Sequence, residues 1–63
     1  MIYLSDILTH EYELENFEGL LEVVRQKARE GEIHLDVDIK PPFGDVPRDW
    51  QNIIEMAFTF PNR

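Results

Sequence analysis

The sequence predicts an α+β fold, a small two-helix domain packed on a short two- or three-stranded sheet. Two stretches repeat apolar residues at helical spacing, and one stretch alternates apolar and polar residues as a strand does. A length of 63 residues fits a single acidic domain over residues 1–63. The chain has no cysteine and therefore no disulfide to stabilise it. We therefore expect a core led by Phe17, Trp50, Phe58 and a set of Leu, Ile and Val residues, or self-association that hides further apolar surface.

The clearest predicted helix runs from Phe17 to Glu30. Asn16 is suited to cap its N terminus, and Gly31 is suited to end it. Gly19 costs helix propensity, about 1 kcal/mol relative to Ala, which points to a close contact there. The apolar residues of this segment form one stripe at helical spacing: Phe17, Leu20, Leu21, Val24 and Ala28.

The strand prediction covers Ile33 to Lys40. Ile33, Leu35, Val37 and Ile39 alternate with His34, Asp36, Asp38 and Lys40, so one set faces inward and the other outward. The pair Pro41-Pro42 ends the strand because proline cannot donate a ladder hydrogen bond.

A second helix is predicted from Pro47 to Phe58. Proline suits the first helical position, and Asp45 stands just ahead of it. The helix ends before Pro61, and its apolar stripe consists of Trp50, Ile53, Ile54, Ala57 and Phe58.

Residues 1–15 allow more than one interpretation. A helix over Glu11 to Glu22 would put Glu13 on the apolar side, so a short strand over residues 11–15 fits better, with Tyr12 and Leu14 inward. Either this segment or Ile2 to Leu4 is the expected partner of the strand that follows Gly31. Ser5 and Asp6 are suited to cap one short helical turn between these two segments.

The charge is strongly asymmetric along the chain. The net charge is -7, and the first 24 residues hold six acids and no Lys or Arg, whereas residues 25–63 hold seven acids and six bases. This balance disfavours direct binding of nucleic acid, whose phosphates it repels. No segment is apolar enough to span a membrane and the N terminus lacks the basic start of a signal peptide, so we expect a cytoplasmic protein.

The side chains available for catalysis do not predict an enzyme, a catalytic residue, a metal or a cofactor. The chain has one Ser, two Thr, two His and no Cys, and no nucleophile elbow or glycine-rich phosphate loop. His34, Asp36 and Asp38 share the outer strand face at about 6 to 7 Å, which we interpret as a solvated polar face, with a small metal-dependent enzyme as the alternative. Asp38-Ile39-Lys40 resembles the Asp/Glu-x-Lys fragment of a nuclease family over those three residues, but the fold of that family needs a longer chain.

The leading functional prediction is a surface of carboxylates that binds another protein. Successive carboxylates repeat at about 6 to 7 Å on a strand and about 6 Å on a helix, the scale of phosphates along a nucleic-acid backbone. We expect this surface to dock on a basic protein, one that binds nucleic acid, and to inhibit it. The predicted acidic surface consists of Glu11, Glu13, Glu15, Glu18, Glu22, Asp36 and Asp38.

In size, acidity and lack of cysteine the chain resembles small inhibitors encoded by phages and mobile elements, which include DNA mimics, anti-restriction proteins and anti-CRISPR proteins. This is a likeness of type, and no motif transfers a role to any residue. The alternative is an accessory subunit, or an antitoxin- or immunity-type partner, that binds through its apolar C-terminal helix. The stretch Met56 to Phe60 also allows a homodimer contact. In the plainest alternative the acids only confer solubility.

Overall fold

The structure is a computed structural model that describes residues 1–10 and 14–62. In chain order the elements of these residues are β1 (Ile2–Tyr3), α1 (Leu4–Thr9), α2 (Phe17–Arg29), β2 (Leu35–Asp36) and α3 (Trp50–Thr59). The strands β1 and β2 pair in parallel, with Ile2 opposite Leu35 and Tyr3 opposite Asp36. The predicted α+β fold is confirmed, although the described residues form three helices where the sequence predicts two.

Helix α2 forms much as predicted. The side chain of Asn16 accepts a hydrogen bond from the Gly19 nitrogen at 2.8 Å, and Gly31 has a φ of 106° just beyond the last turn. A Cβ on Gly19 would lie 3.3 Å from the Asn16 side-chain oxygen, so the close contact at this glycine is with the cap itself. The helix ends at Arg29, one residue before the predicted end.

Helix α3 begins at Trp50, later than the predicted start at Pro47. The Pro47 carbonyl accepts a hydrogen bond from the Trp50 nitrogen at 3.2 Å, so the residues before the helix form a turn. The helix buries Ile54 and Ala57 and packs against α2.

The core forms where α1, α2 and α3 meet. Of the three aromatic residues expected to lead it, only Phe17 is buried, whereas Trp50 and Phe58 are half-buried at its margin. The prediction is therefore wrong for Trp50 and Phe58, whereas the aliphatic residues that it includes fill the centre from α1 and both longer helices. The buried residues of this core are Leu4, Ile7, Phe17, Leu20, Leu21, Val24, Ile54 and Ala57.

The predicted strand Ile33 to Lys40 is shortened to two residues. Its partner β1 offers only Ile2 and Tyr3 before α1 begins, so only two residues of β2 can pair. The alternation holds at its centre, where Leu35 and Val37 are half-buried, but Ile33 is 80% exposed and is not part of the core.

The structure shows which N-terminal segment pairs with β2, an alternative that the sequence leaves open. Ile2–Tyr3 is the strand partner, and the short helical turn predicted near Ser5 is a helix of six residues. Leu14 and Glu15 lie outside any strand. The rest of the strand predicted over residues 11–15, namely residues 11–13, lies outside the described residues.

Candidate protein-binding surface

The residues predicted to form the acidic surface lie on three parts of the fold. Glu15 precedes α2, Glu18 and Glu22 lie on α2, and Asp36 and Asp38 lie at β2 and just after it. All five are exposed, whereas Glu11 and Glu13 lie outside the described residues. Of the two partners that the sequence allows for β2, the structure shows β1, so Asp36 stands beside Tyr3.

Asp38 has a structural role that the sequence did not reveal. Its carboxylate oxygens accept hydrogen bonds from the backbone nitrogen and the hydroxyl of Ser5, at 3.0 and 2.7 Å. These bonds, the hydroxyl bond first, hold the pKa of Asp38 below its ordinary value. Tyr3 at the N-cap of α1 makes no side-chain cap bond. Asp38, two residues after β2, therefore supplies the cap of α1.

Asp45 does the same for α2. Both of its carboxylate oxygens accept from the Phe17 nitrogen, at 3.1 and 3.3 Å. The sequence placed Asp45 ahead of α3, but the N-cap of α3 is Asp49, whose side chain makes no cap bond. Local sequence gives no signal for either remote cap, because the partners lie 33 and 28 positions away.

Acidic residues also occupy the first turns of α1 and α2, at Asp6 and Glu18. The partial positive charge at a helix N terminus stabilises carboxylates placed there. Part of the acidity of the chain therefore serves its own helices.

The bases of α2 are paired with acids of the helix or of its C-cap. Glu22 forms ion pairs with Arg25 at 3.3 Å and with Arg29 at 3.5 Å, and Lys27 lies 3.8 Å from Glu30. In contrast, Glu15, Glu18 and Asp36 form no ion pair with another described residue. Exposed carboxylates at the start of α2 and at β2 therefore carry part of the negative surplus. Asp6, Asp49 and Glu55 carry another part, since they are also exposed and form no ion pair with another described residue.

A shallow apolar groove of about 190 Å³ lies between α2 and α3. It is smaller than the roughly 300 to 1,000 Å³ of typical small-molecule pockets. Met56 and Phe60 are 47% and 42% exposed there. The lining residues are Arg25, Ile53, Met56, Ala57 and Phe60.

The metal-dependent alternative gains no support from the geometry. Among residues 1–10 and 14–62, no group of three or more His, Asp or Glu side chains is placed to hold a metal ion. His34, Asp36 and Asp38 therefore do not form such a group, and Asp38 is engaged with Ser5. The same part of the chain contains no helix with the length and apolar character needed to cross a membrane.

Comparison with family models, with curated protein sequences and with solved structures gives no match for this chain.

Proposed function

We propose that this protein is a non-enzymatic inhibitor that docks through exposed carboxylates on a basic surface of another protein and occludes it. The target is a protein or complex that handles nucleic acid. The observation that supports this proposal is the distribution of charge, because the bases of α2 are paired locally while Glu15, Glu18 and Asp36 are exposed without an ion-pair partner among the described residues.

Within the acidic surface, the residues before and at the start of α2 carry most of the proposed contact. Glu22 already neutralises Arg25 and Arg29, and the carboxylate of Asp38 already accepts from Ser5. Glu22 therefore has positive charge beside it that opposes a basic partner, and Asp38 is engaged within the fold, so both contribute less to the docking of a basic partner. The densest row of acids in the sequence is Glu11, Glu13, Glu15 and Glu18.

A basic surface that binds nucleic acid fits this row because it is arranged to meet a series of negative charges. The chain itself, at -7, is repelled by nucleic acid and attracted by the protein that binds it. The proposed function is therefore that of an inhibitor of the DNA-mimic, anti-restriction or anti-CRISPR type, and a phage or mobile-element origin and a cytoplasmic site of action belong to the same proposal.

The proposal is tested by capture of partners from a host lysate, followed by their identification. Attraction between exposed charges weakens as the Debye length falls from about 10 Å at 0.1 M salt to about 3 Å at 1 M. We expect the wild type to capture a protein that binds nucleic acid at low salt and to lose it at high salt. Capture of a non-basic partner that resists high salt would contradict the proposal.

A matched pair of variants distinguishes binding through a specific surface from binding through net charge alone. The test variant changes four acids of the row to glutamine: Glu11, Glu13, Glu15 and Glu18. The control removes the same charge elsewhere, by amide substitutions at Glu30, Glu32, Asp49 and Glu55. We expect the test variant to lose the partner and the control to retain it. Equal loss in both variants would show that net charge alone drives capture and would contradict a specific docking surface.

A further inference from the structure

We infer that the groove between α2 and α3 is a self-association surface, occupied by the same surface of a second copy of this chain. Its apolar part consists of Ile53 and Met56 on one flank of α3 and of Phe60, the residue just after the helix, which follows Met56 at helical spacing. Ile53 is half-buried, whereas Met56 is 47% and Phe60 42% exposed. The adjoining Ala57 is buried and forms part of the groove lining.

The wall of the groove is a charged flank of α2. Arg25 lines the groove, and the ion pairs of Glu22 with Arg25 and Arg29 place these three side chains together. Glu18 is one turn before Glu22 on the same flank. Along this flank, two acids therefore lie toward the N terminus of α2 and two bases toward its C terminus.

That order favours a second copy over another partner. A two-fold axis across the groove sets the two α2 flanks antiparallel, so the acidic half of each flank faces the basic half of the other. The apolar residues of α3 are self-complementary under the same axis. A basic partner that covered the groove itself would be repelled by Arg25 and Arg29.

The flank is also locally neutral in a chain of net charge -7. Two copies can therefore approach through it without opposing like charges at the contact. A domain of this size buries a smaller fraction of its surface than a larger one does, so burial of Met56 and Phe60 between copies adds stability that the single chain lacks. The inference does not rest on the proposed function.

Sedimentation equilibrium of the wild type from micromolar to millimolar concentration measures the association directly. We expect a monomer–dimer equilibrium, with Kd raised about tenfold or more by Met56→Lys, because a charge would then be buried in the apolar contact. Thr59→Lys adds the same charge to an exposed position that does not line the groove, and we expect its Kd to stay near the wild-type value.

A charge exchange tests the antiparallel arrangement. One variant carries Glu18→Lys and Glu22→Lys, and the other carries Arg25→Glu and Arg29→Glu. Each should associate with itself more weakly than the wild type, and the mixture should form a heterodimer. Circular dichroism confirms that both variants are folded.

A wild type that stays monomeric to millimolar concentration would overturn the inference, as would a dimer whose Kd Met56→Lys leaves unchanged. The absence of a heterodimer from two folded charge variants would also overturn it. In any of these cases the groove would be left to the accessory-subunit alternative, in which a different protein covers α3.

Discussion

Ser5 and Asp38 are 33 positions apart, yet the Asp38 carboxylate accepts a hydrogen bond from both the backbone nitrogen and the hydroxyl of Ser5. The contact joins the first turn of α1 to the segment after β2. It fixes the end of a sheet in which each strand is only two residues long. One of the acids expected to bind a partner therefore helps to hold the fold together.

The first prediction concerns the pH dependence of this contact. The pKa of Asp38 lies below its ordinary value of 3.8, mainly because the Ser5 hydroxyl donates to the ionised carboxylate. A native pKa below the unfolded one means that the ionised form stabilises the fold. The contribution is therefore complete above a pH of about 3.8 and is lost as the pH falls through the lower native pKa.

We expect Asp38→Ala to lower the urea midpoint at neutral pH, with the gap to the wild type closing at pH values below the ordinary pKa of an aspartate. Asp36→Ala is the control, because Asp36 is exposed on β2 and accepts no side-chain hydrogen bond among the described residues. A gap that stays constant across the acid range would contradict the assigned role of Asp38.

The second prediction concerns the two caps of α2. Asp45→Ala and Asn16→Ala each remove an acceptor from a backbone N–H at this helix end. We expect each to lower the free energy of unfolding by about 1 kcal/mol, as loss of a cap does. Asp49→Ala removes a residue that stands at the N-cap of α3 without a cap bond, so it should cost less. Equal losses at Asp45 and Asp49, measured by urea denaturation, would contradict the remote cap.

The third prediction uses two glycines. Gly31 has a φ of 106°, and Gly31→Ala should cost about 1 kcal/mol or more because side chains disfavour this conformation. Gly44 has no positive φ, and a Cβ there would meet no atom within 4 Å. Gly44→Ala should therefore be neutral or slightly stabilising, since alanine restricts the unfolded chain. Thermal unfolding of the two variants compares them, and equal losses would contradict this account of Gly31.

The fourth prediction concerns the core. Leu20 and Ile54 are fully buried, and truncation of such residues to Ala costs about 2 to 5 kcal/mol. A domain of this length is stable by only about 3 to 9 kcal/mol. We expect Leu20→Ala or Ile54→Ala to remove a large part of this stability, measured as a lower midpoint of thermal unfolding by circular dichroism. Ile33→Ala, at a residue 80% exposed, should stay within about 0.5 kcal/mol of the wild type. A large loss at Ile33 would contradict its placement outside the core.

The local features of the fold could be predicted from the sequence. Helix α2, its Asn16 cap and its Gly31 terminus follow from the spacing of apolar residues and from capping preferences, which act within a few positions. The second long helix was predicted for the same reason, although its start was placed too early at Pro47.

The features that could not be predicted depend on residues that are far apart in the sequence. The length of β2 is set by β1, more than thirty positions earlier, and the caps from Asp38 and Asp45 depend on how loops return to the helices. The acidic surface shows the same division, because the exposure of Glu18 follows from its position on a helix, whereas the engagement of Asp38 with Ser5 could not be read from its neighbours.

We propose that the carboxylates before and at the start of α2 bind the surface of a partner protein that otherwise binds nucleic acid. The most direct test is displacement of labelled nucleic acid from the captured partner by this protein. We predict displacement by the wild type and by the control with amides at Glu30, Glu32, Asp49 and Glu55, and none by the variant with glutamine at Glu11, Glu13, Glu15 and Glu18. Simultaneous binding of nucleic acid and this protein to the partner would contradict the claim.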